Sequence, residues 1–230
     1  MNKKFKGALS LAAAGALVFS LAACSNMGGT GTTDPSTAPT SSSTPDVAPE
    51  PVVTIDALTG DNTQVAVDAA FLDAITGLGL TPGVTGGASL SEAGVLEFPI
   101  TGGNVTYYDP EQDYRPYVQG SIEHEDSGFT LTAGDTTVEL KNFVIDPGTS
   151  KLFGDVYVND ELAAEDVFIF KLDGSTLMPL AADEEAGTGV LEGTRVLISE
   201  AAAPLLNETF GTDAIQPDML VGIAKITVNV

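Results

Sequence analysis

From Asn104 to Asp173 apolar and polar residues alternate in short runs, each cut by turn-forming residues. Gly128-Phe129-Thr130-Leu131-Thr132 alternates and stops at Ala133-Gly134-Asp135. Thr137 to Ile145 follows, with Val138 and Leu140 turned inward and Phe143 the next candidate for that face. Asp146-Pro147-Gly148 predicts a turn before Leu152 to Val158, and Asn159-Asp160 another before the apolar run Val167-Phe168-Ile169-Phe170. Period-two segments punctuated every ten residues or so predict an antiparallel meander. The fold class expected is mainly β, an antiparallel β-sandwich or barrel.

Two short helices interrupt this pattern. Asp68 is placed to cap a helix through Ala69-Ala70-Phe71-Leu72-Asp73-Ala74-Ile75, with Gly77 closing it. Ser199 precedes Glu200 to Phe210 and Gly211, and Pro204 sits too deep for the first turn of a helix capped there, so that helix starts late or kinks. Both helices follow a strand-like run (Thr63-Gln64-Val65-Ala66-Val67 and Thr194-Arg195-Val196-Leu197-Ile198). Both precede a loop with a proline, Pro82 or Pro217, and then a strand, Gly94 to Ile100 or Leu220 to Val230. The shared plan is consistent with an internally duplicated strand-helix-strand unit or with convergence on one. Duplication predicts pseudo-two-fold halves, with the meander between them or extending them.

The N-terminal end follows other rules. Lys3, Lys4 and Lys6 precede Gly7 to Leu17 and Val18-Phe19-Ser20, an apolar stretch short for a membrane-spanning helix and long enough for a secretory leader. It ends in Leu21-Ala22-Ala23-Cys24, which resembles a bacterial lipobox. The resemblance implies cleavage before Cys24 and diacylglyceryl and acyl (palmitate-type) modification of that residue. It also implies a lipid-anchored protein on the extracytoplasmic side of the cell envelope, with the membrane as a partner. Ser25 to Pro51 is 27 residues, 19 of them Ser, Thr, Pro or Gly, and too poor in apolar side chains to fold. It reads as a flexible tether spanning roughly 30 Å. The organisation expected is thus a leader over 1–23, a lipidated cysteine and tether over 24–51, and one β-rich domain over 52–230.

Composition narrows the chemistry. With 32 acidic and 9 basic residues the net charge is −23, which repels phosphate backbones, so nucleic acid is not an expected partner. One cysteine excludes an internal disulfide and any Cys-rich zinc or iron–sulfur site. One histidine, with that cysteine consumed by lipidation, leaves nothing to build nucleophile–base machinery. No Gly-rich phosphate loop stands out, since Gly86-Gly87 and Gly102-Gly103 read as turns. Among so many acids nothing selects a pair for glycoside hydrolysis. No enzyme activity, metal or cofactor is expected from the residues alone.

The densest chemistry lies between Thr106 and Asp126. Tyr107, Tyr108, Tyr114 and Tyr117 gather there with Arg115, six acids and His124. Tyrosines on a loop offer ring area and a directional hydroxyl to a protein, glycan or small ligand. The other reading is that they tie a long loop to the core. Glu123-His124-Glu125-Asp126 reads as a solvated acidic hairpin tip, because neighbours on a strand face opposite ways and cannot converge on a metal.

Two resemblances bear on this region. Pro99-Ile100-Thr101-Gly102-Gly103, Gly120-Ser121-Ile122 and Asn142-Phe143-Val144-Ile145-Asp146 resemble a class of secreted bacterial β-domains of unsettled function. Tyr114-Arg115-Pro116-Tyr117-Val118, Gly120-Ser121-Ile122, His124 and Asn142 resemble the haem-transport-associated domains of the HtaA type. In that family a tyrosine ligates haem iron and a histidine supports it, so the resemblance implies haem as ligand with Tyr117 and His124 as the pair. Their separation of seven residues puts them on opposite faces of a regular strand unless Gly120 marks a bulge. The function expected is a surface-anchored lipoprotein displaying a β-rich binding or structural domain, the alternative being a haem-binding domain of an iron-acquisition system.

Overall fold

The structure is a computed structural model, and it describes residues 48–183 and 185–229. The leader, Cys24 and the tether up to Val47 lie outside the described residues. In chain order the elements are β1 (Val53–Ile55), β2 (Asn62–Val67), α1 (Ala69–Gly77), β3 (Thr81–Gly86), β4 (Ser89–Leu90), β5 (Val95–Pro99) and β6 (Gly102–Tyr107). Then come β7 (Val118–Ala133), β8 (Thr136–Asp146), β9 (Lys151–Val158), β10 (Glu161–Asp173), β11 (Ala181–Asp183), β12 (Thr188–Ile198), α2 (Ala202–Phe210) and β13 (Leu220–Asn229). Each strand pair is antiparallel, and the sheet runs β1-β6-β7-β8-β9-β10-β12-β13-β2-β5-β4, with β3 added to β7 and β11 to β12. The sheet curls into a half-barrel, the barrel side of the expected fold class.

The meander β7 to β10 follows the alternation read from the sequence, and Phe143, the further candidate for the inner face, does lie there. On β8, Val138 and Leu140 are buried, and so are Phe143 and Ile145, an odd step further on. A strict two-residue period would have turned Phe143 outward. The step is made at Asn142, whose φ of 56° inserts an extra residue into the strand. Asp126 on β7 (φ 55°) and Asp166 on β10 (φ 50°) do the same, and the registers of all three strand pairs shift there. Polar contacts link these bulges. Asp126 N–H donates to Asn142 Oδ1 at 3.0 Å and Asn142 Nδ2 to Asp155 Oδ2 at 2.9 Å. Asp166 N–H donates to Asp155 Oδ1 at 3.1 Å, so one line of bulges crosses four strands. Bulges raise local twist and bend, and aligned bulges bend the sheet along a single crease. The hairpin from β9 to β10 turns on Asn159 and Asp160, both at positive φ, the pattern that matches strand twist in a two-residue turn.

Both helices form where capping chemistry places them. The Asp68 carboxylate accepts from the Ala70 and Phe71 amides, and Phe71 and Ile75 are buried beneath α1. Ser199 Oγ accepts from the Ala201 and Ala202 amides, so α2 begins at Ala202 with Pro204 inside its first turn. It ends at Gly211, in the left-handed region at φ 63°. The two strand-helix-strand units sit side by side as β12-β13 and β2-β5. That order (first, last, first, last) relates them by a shift of two strands along the sheet. A two-fold axis would have brought like strands together, so the expected pseudo-two-fold arrangement does not hold. Gly102-Gly103, expected in a turn, instead open β6.

Candidate functional site

Curling the sheet turns its inward side chains toward one another around a cavity of about 650 Å³. The wall is almost wholly aliphatic and aromatic, with Phe98, Phe129, Phe143 and Phe170 among its residues and Phe71 reaching in from α1. Volume and character match those of small-molecule sites, which are typically 300–1,000 Å³ and mostly apolar with a few placed polar groups. Here those groups include Thr63 and His124, Tyr107 and Tyr117, and Arg115.

His124 stands in the inner wall, at 1 % exposure. Glu123-His124-Glu125-Asp126 is therefore no hairpin tip: it lies within β7, with His124 buried, Glu125 and Asp126 exposed, and the bulge at Asp126 itself. His124 Nδ1 lies 2.9 Å from the Pro99 carbonyl oxygen, and Nε2 lies 3.2 Å from Thr63 Oγ. A carbonyl only accepts, so Nδ1 carries the proton and Nε2 accepts from the threonine hydroxyl. Burial holds the histidine below its ordinary pKa of 6.5, and the carbonyls of Pro99 and Phe98 pull the other way without prevailing. This direction favours the neutral ring at neutral pH, and both its nitrogens are engaged by this chain.

Tyr107 and Tyr117 face the cavity together. Their rings meet edge to face with centroids 6.0 Å apart. Tyr107, the last residue of β6, is 6 % exposed, and its phenol is pushed above the ordinary value by burial, against the Leu180 backbone, which favours the phenolate. Tyr117 comes just before β7. The β6–β7 register runs unbroken from Val118 to Glu123, so Gly120 marks no bulge. Tyr117 shares the cavity with His124 because it lies outside the strand, where alternation does not govern it. Gly120 has another role. A Cβ on Gly120 would fall 2.1 Å from Asn104 O, and one on Gly103 2.0 Å from Ser121 O, so the pair lets β6 and β7 close on each other.

Tyr108 and Tyr114 are not in the cavity wall. They meet edge to face with centroids 4.7 Å apart, and Tyr108 N–H donates to the Tyr117 carbonyl at 2.7 Å, which ties the loop before β7 to the end of β6. Of the five residues singled out from sequence, three line the cavity and two brace the loop at its rim. Arg115, named from the sequence only as a member of this cluster and motif, also belongs to the wall. It is exposed, lines the cavity, and places its guanidinium 5.3 Å from the centre of the Tyr117 ring. Among the described residues no group of His, Cys, Asp and Glu is arranged to hold a metal ion, and no helix is long and apolar enough to cross a membrane.

Fold and site together define a β-rich half-barrel enclosing an apolar, tyrosine-edged cavity. No family model and no curated protein sequence matches the chain. Among solved structures it is similar to the C-terminal domain of HtaA from Corynebacterium glutamicum, with a TM-score of 0.52 and 17% identity over 75% of this chain and 98% of that one. It also matches a domain-swapped dimer of a histidine-to-alanine variant of that domain, with a TM-score of 0.43 and 15% identity over 70% and 91% of the two chains. The first likeness shows a shared fold.

Proposed function

We propose that the chain is an envelope-displayed binding protein: Cys24 carries the lipid, the Ser/Thr/Pro/Gly segment is the tether, and the half-barrel takes one apolar ligand into its cavity. The observation that carries this reading is the cavity itself, about 650 Å³ within a wall that contributes no carboxylate. A wall without carboxylates favours retention over hydrolysis, since acid–base work at a glycosidic bond needs a pair of them. Haem is the ligand favoured. Its apolar macrocycle suits the wall, and a tyrosine oxygen is an established axial ligand for haem iron. Tyr117 is the candidate for that role, on the motif around Arg115 and on its place in the wall. The fold shared with the HtaA domain is consistent with this. His124, with both nitrogens engaged, serves as a pin in the wall and holds β7 to Pro99 and to β2. Tyr107 supports Tyr117 edge-on, and Tyr108 and Tyr114 hold the rim.

One fractionation tests both halves of the proposal. Cells of the bacterium that makes the protein, grown with haemin, should hold the protein and its Soret absorbance in the membrane fraction. Cys24→Ala should move both to the soluble fraction. Protein recovered without haem would overturn the ligand; Cys24→Ala protein that stays in the membrane would overturn the anchor.

A further inference from the structure

The cavity is lined by 37 residues in a chain of 32 acids and 9 bases, yet Arg115 is the sole charged side chain among them. With acids outnumbering bases more than threefold, a charge placed without purpose at this wall would more often have been negative. The acids of the same loop, half-buried Asp109 and exposed Glu111 and Asp113, lie outside the lining. The ion pairs among the described residues are Lys141–Glu139, Lys171–Asp218 and Arg195–Asp173, and Arg115 takes part in none.

Arg115 is also held in place. Nη1 donates to the carbonyls of Gln112 and Tyr114, each at 2.8 Å, and Nη2 donates to that of Pro110 at 3.2 Å. The ring of Tyr117 lies under the guanidinium. Neutral carbonyls fix the group without cancelling its charge. A guanidinium has five N–H donors, so Nε–H and one Nη2–H remain, enough for a two-point contact with a carboxylate. Because Arg115 is exposed and His124 is buried, the charge sits at the solvent end of the cavity and the apolar wall runs inward from it.

We infer that the ligand is an apolar body carrying a carboxylate, and that Arg115 receives the carboxylate at the mouth while the body fills the cavity. The inference rests on the cavity being the binding site. Two sources share this chemistry, a porphyrin with propionates and a long-chain fatty acid, and the test separates them. The Ser25–Val230 chain, which keeps the whole compact unit Val47–Val230, is titrated with haemin and haemin dimethyl ester by absorbance. It is titrated in parallel with a fluorescent polyene fatty acid and its methyl ester by emission. For the true ligand class the free acid binds roughly three- to tenfold tighter than the ester, the range of a solvent-screened ion pair strengthened by hydrogen bonding. Salt narrows the gap. Arg115→Gln brings the ratio of acid to ester affinity down towards one, while Arg115→Lys keeps part of the preference. Acid and ester binding equally would overturn the carboxylate inference alone, as would Arg115→Gln weakening both alike. No binding of any of the four probes would overturn the binding site and this inference together.

Discussion

His124 links β7 to Thr63 and to the Pro99 carbonyl across the inner wall, and its titration should show in the stability of the fold. It is the only histidine in the chain, so the effect of pH near neutrality can be assigned to one group. The unfolded chain takes up a proton on histidine as pH falls through about 6.5. The folded chain does not, because burial holds its pKa lower. Below that pH the unfolded state binds more protons than the native one, so stability falls with pH, and it continues to fall until the folded histidine titrates too. Thermal unfolding at steps between pH 7.5 and 5.5 should show this decline. His124→Gln should unfold at a lower temperature at pH 7.5, since it disturbs the pairing with Thr63 and Pro99, and should lack the decline. Equal slopes in the two proteins would contradict the buried neutral ring.

At the scale of strands, the crease of bulges is what makes a cavity out of a sheet. Asn142 is its centre, bonded to Asp126 on one side and Asp155 on the other, with a backbone φ of 56°. Asn142→Ala loses both bonds and puts a Cβ residue without a local polar contact into the left-handed region, at a cost of about 2–3 kcal/mol. Asn142→Gly loses the same bonds but relieves the backbone, so it should be the milder change. Urea unfolding of the three proteins checks the order; alanine and glycine variants of equal stability would show that the bulge conformation carries no cost. The same bulges explain what the sequence could and could not disclose. The alternation from Gly128 to Phe170, the Asp68 and Ser199 caps and the late start of α2 were all legible, because each is set by residues within one turn of chain. The inward turn of Phe143 was legible only as a candidate, without the bulge that produces it, and the burial of His124 was not legible. Each depends on a one-residue phase change whose only local sign is an Asn or Asp among alternating residues. The partners that make the change worthwhile, Thr63 for His124 and Asp155 for Asn142, lie on other strands. Tyr117 fell outside strand logic altogether, and Arg115 gained meaning only when the wall was seen to hold no other charge.

Across the whole molecule the parts divide the work. The half-barrel supplies an apolar interior, and the rim concentrates the tyrosines and Arg115, the single cation among the described residues that lines that interior. The two strand-helix-strand units form the wall opposite the meander: β2, β5, β12 and β13 all contribute side chains to it. If this interior is a ligand site edged by Tyr117, a haemin titration of the Ser25–Val230 chain beside its Tyr117→Ala variant, followed in the visible, should separate the two. The first should give a saturable one-to-one Soret shift, and the second should lose that spectrum with its far-ultraviolet circular dichroism unchanged. A flat titration, or a spectrum that Tyr117→Ala leaves intact, would mean that Tyr117 does not hold haem in this cavity.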